Sequence, residues 1–172
     1  MDWRARIPFW THVITETGAR SVYEFGCNAG WNLSAIQRVD PLVQVYGSDI
    51  NAIARQQAKT ALPGDGGDIS EVEADLDLEF AQFDLVFTAG VLIHIPPAEL
   101  EDRMLWLERL SCDYVLAVEY DADWETEVEY RGHAERLWKR PYGRLYEALG
   151  LKLVSAGPAP GFDRCTAWLL RK

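Results

Sequence analysis

Short β-rich runs alternate with helical stretches along nearly the whole chain, and this alternation limits its fold more than any other sequence feature. A chain that returns to a strand after each helix builds a parallel sheet wrapped by helices. The runs expected as strands are Ser21-Val22-Tyr23-Glu24-Phe25, Gln44-Val45-Tyr46-Gly47-Ser48-Asp49, residues 69–74, Phe83-Asp84-Leu85-Val86-Phe87-Thr88, residues 113–119, and a closing pair at 151–155 and 166–170. Phe83 to Thr88 is apolar enough to be buried on both faces. Helices are expected over 32–39 and 52–62, from Pro96-Pro97 onward, and around 145–149. Leu100, Met104 and Leu107 give the third of these a core stripe, and Glu99, Glu101 and Asp102 suit its first turn. Pro63-Gly64-Asp65-Gly66-Gly67 predicts an exposed loop.

No repeat, linker or change of composition divides the 172 residues, so residues 1–172 read as one domain. The formal charge of −10 is the wrong sign for a nucleic-acid track or an anionic membrane surface. No apolar run reaches the ~20 residues needed to cross a bilayer. No secretory pattern precedes Pro8-Phe9-Trp10, and Cys27, Cys112 and Cys165 are odd in number with no C-x-x-C pair. These features predict a cytoplasmic protein with reduced thiols and no metal site.

The stretch Glu24-Phe25-Gly26-Cys27-Asn28-Ala29-Gly30 follows the first strand and opens a helix. A glycine turn there lets backbone N–H groups approach a ligand closely. The dinucleotide fingerprint would place glycines at 26, 28 and 31. This chain has Asn28 and Trp31 instead, which excludes a nicotinamide oxidoreductase. Glu-x-Gly-x-x-x-Gly is the spacing that holds S-adenosylmethionine, which carries no pyrophosphate and whose cationic amino end can face the preceding acid. Asp49 closes the second strand, where an acid can take both ribose hydroxyls. Asp75 follows the third strand and is expected to reach the adenine amino group. The three acids would line one crevice at the carboxyl ends of the strands.

Through these residues the chain resembles class I S-adenosylmethionine-dependent methyltransferases and, more narrowly, the small methylases associated with pseudaminic acid biosynthesis. The stretches that carry the wider resemblance are Tyr23 to Leu33, Tyr46-Gly47-Ser48-Asp49-Ile50-Asn51 and Phe83 to Ile95. The narrower one rests on Ala117-Val118-Glu119-Tyr120, Tyr130-Arg131-Gly132-His133 and Arg136-Leu137-Trp138-Lys139-Arg140. The resemblance implies a Rossmann-like, doubly wound α/β sheet of about seven strands, the last one antiparallel. It also implies metal-independent methyl transfer to a sugar, a nucleotide-linked sugar or a related metabolite. Glu24, Gly26, Asn28, Gly30, Asp49, Ile50, Asp75 and Thr88 are the residues expected to hold the cofactor. Such proteins carry an N-terminal arm over the cofactor longer than the roughly twenty residues found before the first strand. That shortness motivates an alternative: a cofactor-binding module with little activity alone that works with a partner chain.

Methyl transfer needs an in-line approach and, for a hydroxyl or ammonium acceptor, removal of a proton. His94, after the fourth strand, Glu119, ending the fifth, and His133 are the candidates for this work. Residues 121–144 are charge-segregated and read as an acceptor-binding insertion. Asp121, Asp123, Glu125, Glu127 and Glu129 precede Arg131, His133, Arg136, Lys139, Arg140 and Arg144. The acidic half reads as a solvated face. In the basic half, Tyr130, Arg131, His133, Arg136, Trp138 and Lys139 are expected to bind the acceptor through charge and stacking. The acceptor is then a small molecule of polar or anionic character, and a homodimer is compatible with the chain.

Overall fold

The molecule is described here from a computed structural model covering residues 3–62, 67–71 and 82–172. Its sheet grows from runs whose alternate side chains are apolar on both sides. In β1 (Ser21–Phe25), β4 (Phe83–Ala89) and β5 (Ser111–Glu119), Val22, Leu85, Phe87, Leu116 and Val118 enter one apolar cluster. Tyr23, Phe25, Val86, Val115 and Ala117 enter a second. Successive side chains point to opposite faces, so each strand feeds a core above the sheet and a core below it. Helices α1 (Ile7–Thr17), α2 (Trp31–Val39) and α3 (Ala52–Ala61) cover the first face. Helices α4 (Pro97–Leu110) and α5 (Tyr142–Ala148) cover the second.

The remaining sheet strands are β2 (Gln44–Ser48), β3 (Asp68–Ser70), β8 (Lys152–Pro158) and β9 (Thr166–Arg171). Among the described residues the seven strands lie in the order β3-β2-β1-β4-β5-β9-β8. The pairs β1–β2, β1–β4, β2–β3 and β4–β5 are parallel, and β9 runs against both of its neighbours. This is the expected doubly wound sheet with the last strand antiparallel. The carboxyl ends of β1, β2, β4 and β5 therefore open on one edge, where ligands of such sheets lie.

The sequence reading has no counterpart for α1. Its Thr11, Thr15 and Thr17 and the β-branched Val13 and Ile14 are modest helix formers. Tertiary packing decides the matter, because Phe9, Trp10, Val13 and Ile14 form a helical stripe buried against the sheet. The region 121–144 also differs from expectation in detail. It contains a two-stranded hairpin, β6 (Thr126–Glu127) paired with β7 (Trp138–Lys139), and then the start of α5. Of the expected third strand, Asp68–Ser70 forms; residues 72–74, Asp75 and most of the 63–67 loop lie outside the described residues. No helix among the described residues is long and apolar enough to cross a membrane.

Candidate active site

The turn after β1 is built by left-handed backbone. Gly26, Asn28 and Gly30 have φ of 73, 48 and 72°. At Gly26 a side chain is excluded twice over, because a Cβ there would lie 2.4 Å from Cγ2 of Val91. Asn28 is among the few side-chain-bearing residues that accept this region readily. Gly30, buried as the N-cap of α2, would push a Cβ to 3.0 Å from the Cβ of Ala58.

Two adjoining cavities open over this turn. The first, about 460 Å³, is lined by Glu24, Gly26, Asn28 and Asn32 together with Arg6 and Gln57. Glu24 is 2% exposed, and its Oε1 accepts a 2.6 Å hydrogen bond from the amide of Asn32. Asn32 in turn accepts a 2.7 Å bond from Arg6. The other oxygen, Oε2, is buried with no hydrogen-bond partner in the protein. Burial outweighs the Asn32 bond and the Arg6 charge and pushes the Glu24 carboxyl up to about 8. An unsatisfied buried oxygen on a residue that lines a cavity suits a cationic, hydrogen-bonding ligand group.

Asp49 stands just beyond β2. Its two oxygens accept from the backbone N–H of Asn28 at 2.9 Å and of Asn51 at 2.8 Å. Asn51, not Asp49, caps α3, accepting from Ile53 and Ala54. Asp49 thus ties the glycine turn to the start of α3 and keeps spare lone pairs for a diol. Ile50 beside it is 81% exposed, a largely uncovered apolar surface.

The second cavity, about 600 Å³, shares Arg6, Asn28 and Ala89 with the first. His94, Tyr120, Tyr130, Lys139, Phe162 and Asp163 stand among its walls. His94 and Tyr130 have ring centroids 5.3 Å apart, and Lys139 Nζ lies 5.7 Å from the ring of Tyr120. The Nδ1 of His94 is 2.7 Å from the carbonyl oxygen of Arg136. A carbonyl can only accept, so Nδ1 carries the proton and the neutral ring keeps its free lone pair on Nε2.

Several expected site residues lie elsewhere. Glu119 is wholly buried, accepting from the N–H groups of Val91 and Leu92 at 3.1 Å each, and is not on the acceptor rim. Thr88, 1% exposed, adjoins that carboxylate without closing a hydrogen bond to it. Strand parity explains both: they face the α4–α5 core, and the next residues, Ala89 and Tyr120, line the crevice. Burial pushes the Glu119 carboxyl up to about 7, against the pull of the Val91 and Leu92 N–H groups.

The basic segment is divided by the hairpin. Tyr130 and Lys139 line the cavity, while the exposed Arg131 lies 5.1 Å over the ring of Tyr130 and is not among the cavity's walls. Arg136 is exposed and meets the site through its carbonyl; the exposed His133 pairs its backbone with Tyr130. Trp138 is buried beneath, with the guanidinium of Arg140 5.3 Å from its ring.

The residues missed by sequence reasoning come from far along the chain. Arg6 belongs to the N-terminal arm, and Phe162 to the β8–β9 connection, where Arg6 lies 4.3 Å over its ring. Arg6 Nε also donates to the carbonyl of Gly161 at 3.4 Å. The segment before β1 therefore reaches the crevice, meeting the β8–β9 loop there. Asn32 alone had a local signal, standing two residues after the second glycine in the first turn of the helix.

Comparison with known proteins agrees with this geometry. No curated protein matches the chain. A sugar N-methyltransferase from Streptoalloteichus sp. ATCC 53650 has the same fold, with a TM-score of 0.74 at 17% identity over 99% of this chain and 88% of its own. Magnesium protoporphyrin IX methyltransferase from Synechocystis PCC 6803, solved with bound S-adenosylmethionine, gives 0.70 at 16% identity over 98% and 77%. A 1,6-didemethyltoxoflavin-N1-methyltransferase from Burkholderia thailandensis gives 0.74 at 14% identity over 98% and 79%. The family model described as "Methyltransferase domain" matches residues 23–110, from the first strand through the glycine turn to the end of α4. With the fold and this match in agreement, the chain belongs to the methyltransferase-domain family and is an S-adenosylmethionine-dependent methyltransferase.

Proposed function

We propose that the chain methylates a small polar acceptor held in the 600 Å³ cavity, with His94 as the general base. The observation that carries this reading is the bond from His94 Nδ1 to the Arg136 carbonyl, which leaves Nε2 as a proton acceptor in the cavity wall. S-adenosylmethionine supplies an electrophilic methyl group on a sulfonium. Glu24 would receive its ammonium on the unsatisfied Oε2, and Arg6 supplies a positive charge for its carboxylate. Asp49 would take the ribose diol, Ile50 would cover the adenine, and Gly26, Asn28 and Gly30 shape the turn. Asp75, outside the described residues, is kept for the adenine amino group by its sequence position alone.

The acceptor walls favour a sugar-like or flat polar molecule. Tyr120, Tyr130 and Phe162 offer ring faces, with Glu129, Asp163 and Lys139 as polar handles. Both signs of charge are present, which suits a neutral or zwitterionic acceptor better than a strongly anionic one. The sugar-like shape of this acceptor, though not its charge, accords with the resemblance to pseudaminic acid-associated methylases.

A labelled-methyl screen against nucleotide-linked sugars, amino sugars and polar acids, read by mass spectrometry, tests the reading. One product gaining a single methyl is expected, and His94→Gln should lower kcat by roughly 10²–10⁴-fold while S-adenosylhomocysteine binds as before. Absence of transfer across the screen, or an unchanged kcat in the folded variant, overturns it.

A further inference from the structure

One short turn is gripped from both sides, by a buried carboxyl group and a buried guanidinium. Residues 90–95 follow β4, form a 3-10 turn over Leu92–His94 and contribute Gly90, Ile93 and His94 to the wall of the second cavity. From below, Glu119 Oε1 accepts the N–H groups of Val91 and Leu92 at 3.1 Å each. From the hairpin side, the guanidinium of Arg140 donates to the carbonyls of Leu92 and Ile95, both at 3.0 Å. Its Nε donates to Glu125 at 2.7 Å, and the residue is wholly buried. The same hairpin region presents the Arg136 carbonyl that meets His94 Nδ1.

We propose that Glu119 and Arg140 are positioning residues that set the ring of His94, and that the acceptor-side hairpin is the seat of the catalytic base. The proposal rests on the reading of His94 as that base. An isolated buried guanidinium is expensive, and apolar packing of the same volume is often no less stable. Here all three arms of the fork are spent on one turn and its neighbour Glu125, which fixes where the turn's carbonyls lie. Glu119 fixes its N–H groups. With both ends held, the ring between them has little freedom, and Nδ1 stays on the Arg136 carbonyl with Nε2 toward the cavity. Val91, within the gripped segment, abuts Gly26, so the same clamp also carries the cofactor turn's neighbour. Insertion and base then move as one unit, and an acceptor that settles the hairpin also settles the proton acceptor.

The test is spectroscopic and needs no acceptor. The full chain has three histidines, His12, His94 and His133, so the imidazole nitrogens of His94 are assignable in ¹⁵N-labelled protein saturated with S-adenosylhomocysteine. Once alkaline titration has made the ring neutral, the wild-type ring should be in the Nδ1–H form. Arg140→Met and Glu119→Ala should reduce that form to a minor one, while Glu119→Gln, which keeps an accepting oxygen in place, should retain it. Arg140→Lys keeps the charge but not the fork and should lose the tautomer as well, so it serves if Arg140→Met fails to fold. Retention of the wild-type His94 signals in folded Glu119→Ala and in a folded Arg140 variant overturns the proposal. Those outcomes are independent of the methyl-transfer screen: a chain that transfers nothing still reports its tautomer, and a failed clamp leaves the His94→Gln result standing.

Discussion

The two halves of the crevice are made in different ways. In the cofactor half, Glu24, Gly26, Asn28, Asn32 and Asp49 lie within 26 residues of one another, on the ends of adjacent strands and the turn between β1 and α2. Backbone holds Asp49, through two N–H groups, and the turn, through left-handed φ, while Glu24 is held by the side chain of Asn32. The acceptor half draws on β4, the β6–β7 hairpin, the β8–β9 loop and the N-terminal arm, and its polar groups are side chains on loops. A site held by strand ends is insensitive to side-chain changes outside it. One held by a hairpin depends on whatever anchors the hairpin, here Arg140 and Glu125.

The largest effect should come from disturbing the seam where the halves meet. Gly26→Ala adds a Cβ at positive φ, against Val91. Strain and overpacking together cost about 3 kcal/mol, on the order of a hundredfold in S-adenosylhomocysteine affinity by calorimetry. A folded variant that binds within a few-fold of wild type would mean the turn yields more easily than its contacts imply. Next is Asp49→Ala, which should cost roughly 1.5–3 kcal/mol of cofactor affinity and leave acceptor binding alone. Unchanged affinity would make Asp49 only a tie between turn and helix.

Lys139→Ala should raise the acceptor Michaelis constant about tenfold, or about 1.4 kcal/mol, while Arg131→Ala, at an exposed residue that does not line the cavity, should change it little. The reverse ranking would put the acceptor outside the cavity described.

The smallest effect separates the halves by protons. With its carboxyl near 8, Glu24 is mostly protonated at pH 7, and an arriving ammonium should expel that proton. Calorimetry in buffers of different ionisation enthalpy should show release of up to about one proton, lost in Glu24→Gln. The folded-state pKa lies above the ordinary 4.5, so the associated stability is complete below that value and is lost as pH rises through about 8. Glu119 acts in the same direction, over 4.5 to about 7. Melting temperature should therefore fall from pH 5 to 8, and saturating cofactor should remove the Glu24 share only. A melting temperature that is flat across this range in the ligand-free protein would show that neither carboxyl is so displaced.

The sheet and the cofactor turn were legible in the sequence because their signals are local. Strand burial writes period-two apolar runs such as Phe83 to Thr88, and a turn needing positive φ writes glycine at 26 and 30. The position of Asp49 at the end of β2, beside the glycine turn, was legible because strand and turn are both local signals. Helix α1 and the true status of Glu119 and Thr88 were not. A weak helix former becomes helical by burying Phe9 and Trp10, and an acid at a strand end can face either side until the register is known. Nor could the chain order join Arg6 to Asn32 and Phe162, or separate Lys139, which lines the cavity, from Arg140, one residue on, which is buried beneath the turn. Sequence alone determined which residue types meet at strand ends. Only the tertiary structure, through contacts between segments up to some 150 residues apart, decided which charges serve the crevice and which hold its walls.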